Sequence, residues 1–175
     1  MEFVQISNRA VNQMTTKQDR FTTEYIETED RIRLSIETAT QASAVIWLSQ
    51  RLMQRLVPVL LQWLEQQGPR EEVLQNWAQQ AARSGIRKQA PVKANTDGHS
   101  WLAHSIDVKR TEQAVVLTFK GPATEGAILT LTAEPLRQWL NIVYDSHIHA
   151  GWSLAIWPEW ISQAKPIQSS TTWLH

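Results

Sequence analysis

The side chains that could do chemistry are few, and their spacing limits what that chemistry is. Besides the terminal His175, the imidazoles are His99, His104, His147 and His149. A His-x-His pair such as His147 and His149 supplies two metal ligands when the backbone is extended, because residues i and i+2 then point the same way. On a helix the two point apart, and beyond Asp145 no further ligand stands at a suitable spacing, so the pair reads equally as helix-end histidines facing the last carbonyls. The acids Glu24, Glu27, Glu29 and Asp30 cluster in one short stretch, where carboxylates are ordinarily solvated rather than held in a pocket with a shifted pKa. Six glycines make no nucleophile elbow, phosphate loop or dinucleotide fingerprint. Having no cysteine removes disulfides, thiolate metal sites and cysteine nucleophiles together, and it suits a reducing compartment. No catalytic signature and no cofactor emerge.

Binding is better provided for. Nine tryptophans occur in 175 residues, and three of them, Trp152, Trp157 and Trp160, crowd the C-terminal part. Arg51 and Arg55 stand one helical turn apart. Tryptophan and arginine dominate protein–protein hot spots, which makes these five the candidate partner-binding residues, with at least one of the three rings expected to be exposed in an isolated subunit. The competing reading is that the rings close their own core. Arg83, Arg87, Lys88 and Lys93 form a local basic stretch, with Trp77 and Trp101 nearby in sequence, that could grip phosphates and stack a base, or could be an ordinary solvated loop. The 17 basic and 17 acidic residues cancel, so no overall field draws the chain to nucleic acid or anionic lipid.

The elements that must carry these residues follow from periodicity. Phe21 to Thr38 reads as a β-hairpin, with Ile32, Leu34 and Ile36 alternating with polar residues. Ser43 to Gln67 reads as one long helix capped by Ser43, stopped by Gly68-Pro69 and kinked at Pro58, with Leu48, Leu52, Leu56 and Leu60 deepest. Residues 70 to 83 read as a second helix folding back on the first and burying Val73, Leu74, Trp77 and Ala81. Residues 84 to 98 read as a mobile loop. Strands are expected at 101–108, 114–120 and 127–132, then a helix capped by Thr132 that buries Leu136, Trp139, Leu140, Val143 and Tyr144 and ends near Gly151. A short strand over Trp152 to Ile156 and a helical turn around Trp157 and Trp160 complete the pattern. A faint echo links LSIETAT, before the long helix, with LTLTAEP, before the C-terminal helix.

The expected architecture is α+β: an antiparallel sheet, built from a hairpin plus a three-strand meander, packed against a long kinked helix, a short second helix and a C-terminal helix. Residues 1–20 read as an N-terminal extension, 21–161 as a single domain and 162–175 as a C-terminal tail. With no signal peptide and no apolar span free of charge, the chain reads as cytoplasmic and not membrane-bound. Its expected function is a non-enzymatic protein–protein interaction or assembly module, self-associating through an aromatic and arginine surface. The alternatives are an accessory nucleic-acid-binding protein using residues 83–93 and a histidine-metal or small-ligand enzyme.

Overall fold

The computed structural model describes residues 20–37, 43–86, 90–92 and 99–164. The fold is α+β, with two sheets. In the first, β1 (Arg20–Ile26), β2 (Arg31–Glu37) and β3 (Ser43–Ser49) run antiparallel in sequence order, and β4 (His99–Leu102) adds to β3 in parallel. The second is an antiparallel meander of β5 (Ser105–Arg110), β6 (Ala114–Lys120) and β7 (Gly126–Thr132). The chain passes from one sheet to the other within two residues: Ala103 N–H donates to Trp47 O and His104 N–H to Lys120 O, both at 2.9 Å. The expected hairpin is present, and so is the meander, except that its first expected strand, 101–108, is split between β4 and β5; the single all-antiparallel sheet is corrected to two sheets with one parallel pair.

The long helix is also shorter than its sequence pattern implies. Ser43–Ser49 is a strand, and α1 spans Gln50–Gln67, with Ser49 as its cap accepting from Leu52 N–H at 3.3 Å. The run SAVIWLS sits between β2 and β4 with Ala44, Val45, Ile46 and Leu48 all buried. A strand covered on both faces reads as a continuous apolar run, and periodicity cannot separate that from a buried helix. Pro58 lies within the unbroken helix, on its exposed side together with Gln54. Helix α2 (Glu72–Ser84) packs on α3 (Ala133–Ala150) and α4 (Glu159–Ser162) rather than folding back on α1. No strand forms over residues 152–156.

The echo seen in the sequence proves to be a structural repeat in a different register. Each half of the chain is a three-strand meander followed by an 18-residue helix. One constant offset maps β2 onto β6, β3 onto β7, and α1 onto α3, taking Arg31 to Ala114, Ser43 to Gly126 and Gln50 to Ala133. The same offset aligns the cap residues, Ser49 with Thr132 and Gly68 with Gly151. Strand register is shared too: Arg31 pairs with Ser49 as Ala114 pairs with Thr132.

The two units interlock through their helices. Besides its own unit, α1 packs against β5, and α3 packs against β1. Trp63 of α1 donates its indole N–H to Thr111 O (2.9 Å) at the β5–β6 turn, and Trp139 of α3 donates to Thr23 Oγ1 (3.0 Å) on β1. Both rings are buried in a single core with Leu60, Leu64, Leu117, Phe119 and Leu140. Large indoles are suited to such joints, since they fill volume between elements and still anchor one directed hydrogen bond.

Leu60 is fully buried whereas Leu52 is half-buried at the edge of the core. Leu60→Ala should therefore cost about 2–5 kcal/mol of stability, and Leu52→Ala clearly less, as read by chemical denaturation.

Candidate functional site: a helix turned inside out

The side chain that organises this region is Arg137, on the first turns of α3. It is only 5% exposed and has no carboxylate within ion-pair distance among the described residues. Its guanidinium instead donates to Gln79 Oε1 at 3.2 Å and to Gln75 Oε1, and it stacks over the Trp160 ring with 5.4 Å to the centroid. The two glutamines are held in turn, Gln79 Nε2 by Arg137 O (2.9 Å) and Gln75 Nε2 by Pro69 O (2.7 Å). A Cβ on Gly68 would lie 2.8 Å from Gln75 Nε2 and 3.0 Å from Arg137 Nη2, so glycine leaves the space in which the guanidinium meets the C-terminal end of α1. That end carries partial negative charge and favours a cation. Burial pushes the guanidinium pKa below its ordinary value.

This network fixes which way α2 faces. Gln75, Gln79 and Ala82 are buried, while Val73 is 60% and Trp77 62% exposed, and Ala81 is exposed beyond them. The expected buried stripe of Val73, Leu74, Trp77 and Ala81 is thus inverted, with only Leu74 partly covered. A buried cation requires acceptors, and two glutamines one turn apart supply them, which turns the opposite, apolar face outward. Beside Trp77 a groove of about 400 Å³ runs between α2 and α4, with Glu72 and Glu159 among its lining residues.

The three C-terminal tryptophans are core, so none of them is the exposed ring expected of a contact surface. Trp152, Trp157 and Trp160 are all buried. Trp152 donates to Asp30 Oδ1 (2.9 Å), which also accepts from Tyr25 OH (2.9 Å), tying the stretch after α3 to the β1–β2 turn. Arg51 and Arg55 are exposed on α1 and form no ion pair among the described residues.

His147 is fully buried, edge-on to Trp152 and Trp157 at centroid distances of 5.1 and 5.2 Å, with Nδ1 2.9 Å from Val143 O. His149 lies against Tyr25 (6.0 Å) and is exposed. Being on one helix, the two rings diverge, and no group of three potential metal ligands occurs among the described residues. Desolvation lowers the His147 pKa, so the fold favours the neutral ring.

Of the basic stretch, Arg83 is spent internally, bonding Asp145 at 3.1 Å and Ala164 O at 3.1 Å; Arg87, Lys88 and Lys93 lie outside the described residues. Part of the expected mobile loop is anchored: Val92 is buried with its N–H on Thr22 Oγ1 (2.8 Å), and Ala90 O accepts from Arg20 (2.7 Å). The expected tail likewise begins packed, with Ala164 buried. A cleft of about 250 Å³ near Ser43, His99, Trp101 and Glu125 contains the one carboxylate among the described residues whose pKa is lowered, Glu125, held down by backbone N–H groups of Glu125 itself and Ala123 and by nearby His99 and His104. A carboxylate stabilised as its anion is a poor proton shuttle near neutrality. No helix among the described residues is long and apolar enough to cross a membrane.

No family model, curated protein or solved structure matches this chain.

Removing the guanidinium alone leaves two buried glutamine oxygens without donors, so Arg137→Ala should destabilise by about 2–5 kcal/mol. The triple change Arg137→Met, Gln75→Leu, Gln79→Leu should recover most of that loss in a denaturant titration. Because the unfolded chain protonates His147 near its ordinary pKa while the fold resists, the histidine's contribution is intact above about pH 6.5 and stability falls as pH drops below it. Melting between pH 8 and 5 should show this slope, reduced in His147→Gln.

Proposed function

We propose that the protein is a non-enzymatic assembly module that self-associates through the outward face of α2. The observation that carries this is the inverted polarity of that helix: Trp77 and Val73 face water at 62% and 60% exposure while Gln75 and Gln79 are buried. Exposing a tryptophan where two glutamines are hidden is a standing cost in isolation. It is offset when a partner covers the ring.

A second copy of the chain is the partner this face suits. Val73, Trp77 and Ala81 recur every four residues, forming the kind of ridge by which helices pack. In an antiparallel pair of α2 helices about a two-fold axis, the large Trp77 of each copy lies over the small Ala81 of the other, and each helix N-terminus approaches the other's C-terminus. Such an arrangement is self-complementary, as an isologous contact requires. A 13-residue helix is about 20 Å long, which places the contact at the small end of specific interfaces and gives weak, concentration-dependent association. The arginine part of the expected surface, Arg51 and Arg55, lies on α1 and has no role in this contact.

Light scattering over a concentration series is the direct test. The mass should rise with concentration for the natural chain, and Trp77→Ser should weaken association roughly 30-fold or more, the effect of a hot-spot residue, with stability changed by no more than about 0.5 kcal/mol. A chain that stays monomeric into the millimolar range would refute this function.

A further inference from the structure

The groove beside Trp77 is one of three concavities that adjoin along residues 155–163. One of about 300 Å³ lies against α1, with Gln62 and Trp157 in its walls; one of about 440 Å³ lies at the α1–α2 joint, with Pro69 and Trp160; the third is the groove of about 400 Å³ between α2 and α4. The first two share Glu65 and Pro158, and the last two share Glu72. Each is lined by residues of α1, α2 or their joint together with residues of 155–163, so they form a run of neighbouring subsites between the same two walls. From Pro58 to Glu65 α1 rises about 10 Å, and from Glu72 to Gln80 α2 rises about 12 Å. The run is therefore on the order of 20 Å long, which about six residues of extended chain would span.

The lining of this run is acidic and aromatic. Glu65, Glu72 and Glu159 are exposed along it, and none of them forms an ion pair among the described residues. Among the described residues Arg70 is the one cation in its walls. Trp77 stands exposed at one end, while Trp157, 9% exposed, lines the other and carries an indole N–H that meets no acceptor among the described residues. A buried donor without a partner is costly, and a carbonyl brought by an occupant offsets that cost. We infer that the run binds an extended basic peptide of a partner protein, with cationic side chains at Glu65, Glu72 and Glu159 and apolar ones between them. Small subsites in a row suit the alternating side chains of an extended chain, whereas a helix about 10 Å across needs a single wide trough. The uncompensated carboxylates select a basic segment and repel acidic peptides and nucleic acid alike. An arginine at the α2 end also stacks on the open face of Trp77.

The probe is a synthetic peptide of repeating arginine-proline-leucine, titrated into dilute full-length protein labelled with 5-fluorotryptophan. The fluorine resonances of Trp77 and Trp157 should shift saturably, while those of Trp63 and Trp139, in the core, stay in place. The same repeat with glutamate for arginine should give no shift, and spermine, which is cationic but has no apolar side chains, should bind at least tenfold more weakly. In the double variant Glu65→Gln, Glu159→Gln the dissociation constant of the arginine peptide should rise at least tenfold. Both positions are exposed and neither lies on α2, so self-association of that variant by light scattering should match the natural chain. No saturable shift with the arginine peptide into the millimolar range, an equal response to the glutamate peptide, spermine binding as tightly, or unchanged affinity in the double variant would each overturn the inference. A chain that binds the peptide yet stays monomeric at every concentration would refute the α2 contact alone.

Discussion

A guanidinium buried with no carboxylate partner among the described residues sets the arrangement of the whole helical layer. Arg137 draws Gln75 and Gln79 to itself, rests on Trp160 and meets the C-terminal end of α1 past Gly68. Through one side chain, four helices are thereby placed relative to one another. The amide oxygens are neutral acceptors, so the charge is solvated by dipoles rather than cancelled, and the site tolerates few rearrangements. The visible outcome is on the far side of α2, where Val73 and Trp77 are turned out to solvent.

Beneath that layer lies a duplicated plan. Two βββα units meet in one core, and each lends its helix to the strands of the other, with Trp63 and Trp139 making the reciprocal hydrogen bonds. Outside that shared plan the two units differ. Arg137 of α3 corresponds to the exposed Gln54 of α1, so the buried cation belongs to only one half. After Gly68 the chain makes the 13-residue α2, while after Gly151 it makes a tryptophan-lined stretch and the short α4. The tryptophan richness of the sequence is largely accounted for by these joints: six of the rings are buried, and Trp77 alone among the described ones is fully on the surface.

Much of the fold was legible in the sequence where one face of an element is wet. Ile32, Leu34 and Ile36 alternate with polar residues, and Leu136, Trp139, Leu140 and Val143 keep helical spacing with Thr132 and Gly151 at the ends, so β2 and α3 were readable nearly to the residue. Ser43–Ser49 was not, because a strand covered on both faces has no alternation to read. The orientation of α2 was illegible for a different reason. Its sequence offers two stripes, Val73-Trp77-Ala81 and Gln75-Gln79-Ala82, and hydrophobicity alone chooses the first. What selects the second is Arg137, some 60 residues further along, a tertiary demand that no local pattern contains. The available hint was a lone arginine adjoining Leu136 on the buried side of α3, with glutamines one turn apart on a preceding helix. The tryptophans mislead for a related reason: their number signals both core and contact, and only packing assigns each ring.

We propose that the Arg137 network holds Trp77 outward as a contact for a second copy, and the ring itself can report on it. In protein labelled with 5-fluorotryptophan, each indole gives its own fluorine resonance. The Trp77 resonance should be accessible to a soluble paramagnetic quencher in dilute protein, and should shift and become protected as concentration rises, while those of Trp63, Trp139, Trp152, Trp157 and Trp160 stay shielded throughout. A Trp77 resonance that is shielded in dilute protein, or that does not respond to concentration, would rule out this role for the ring.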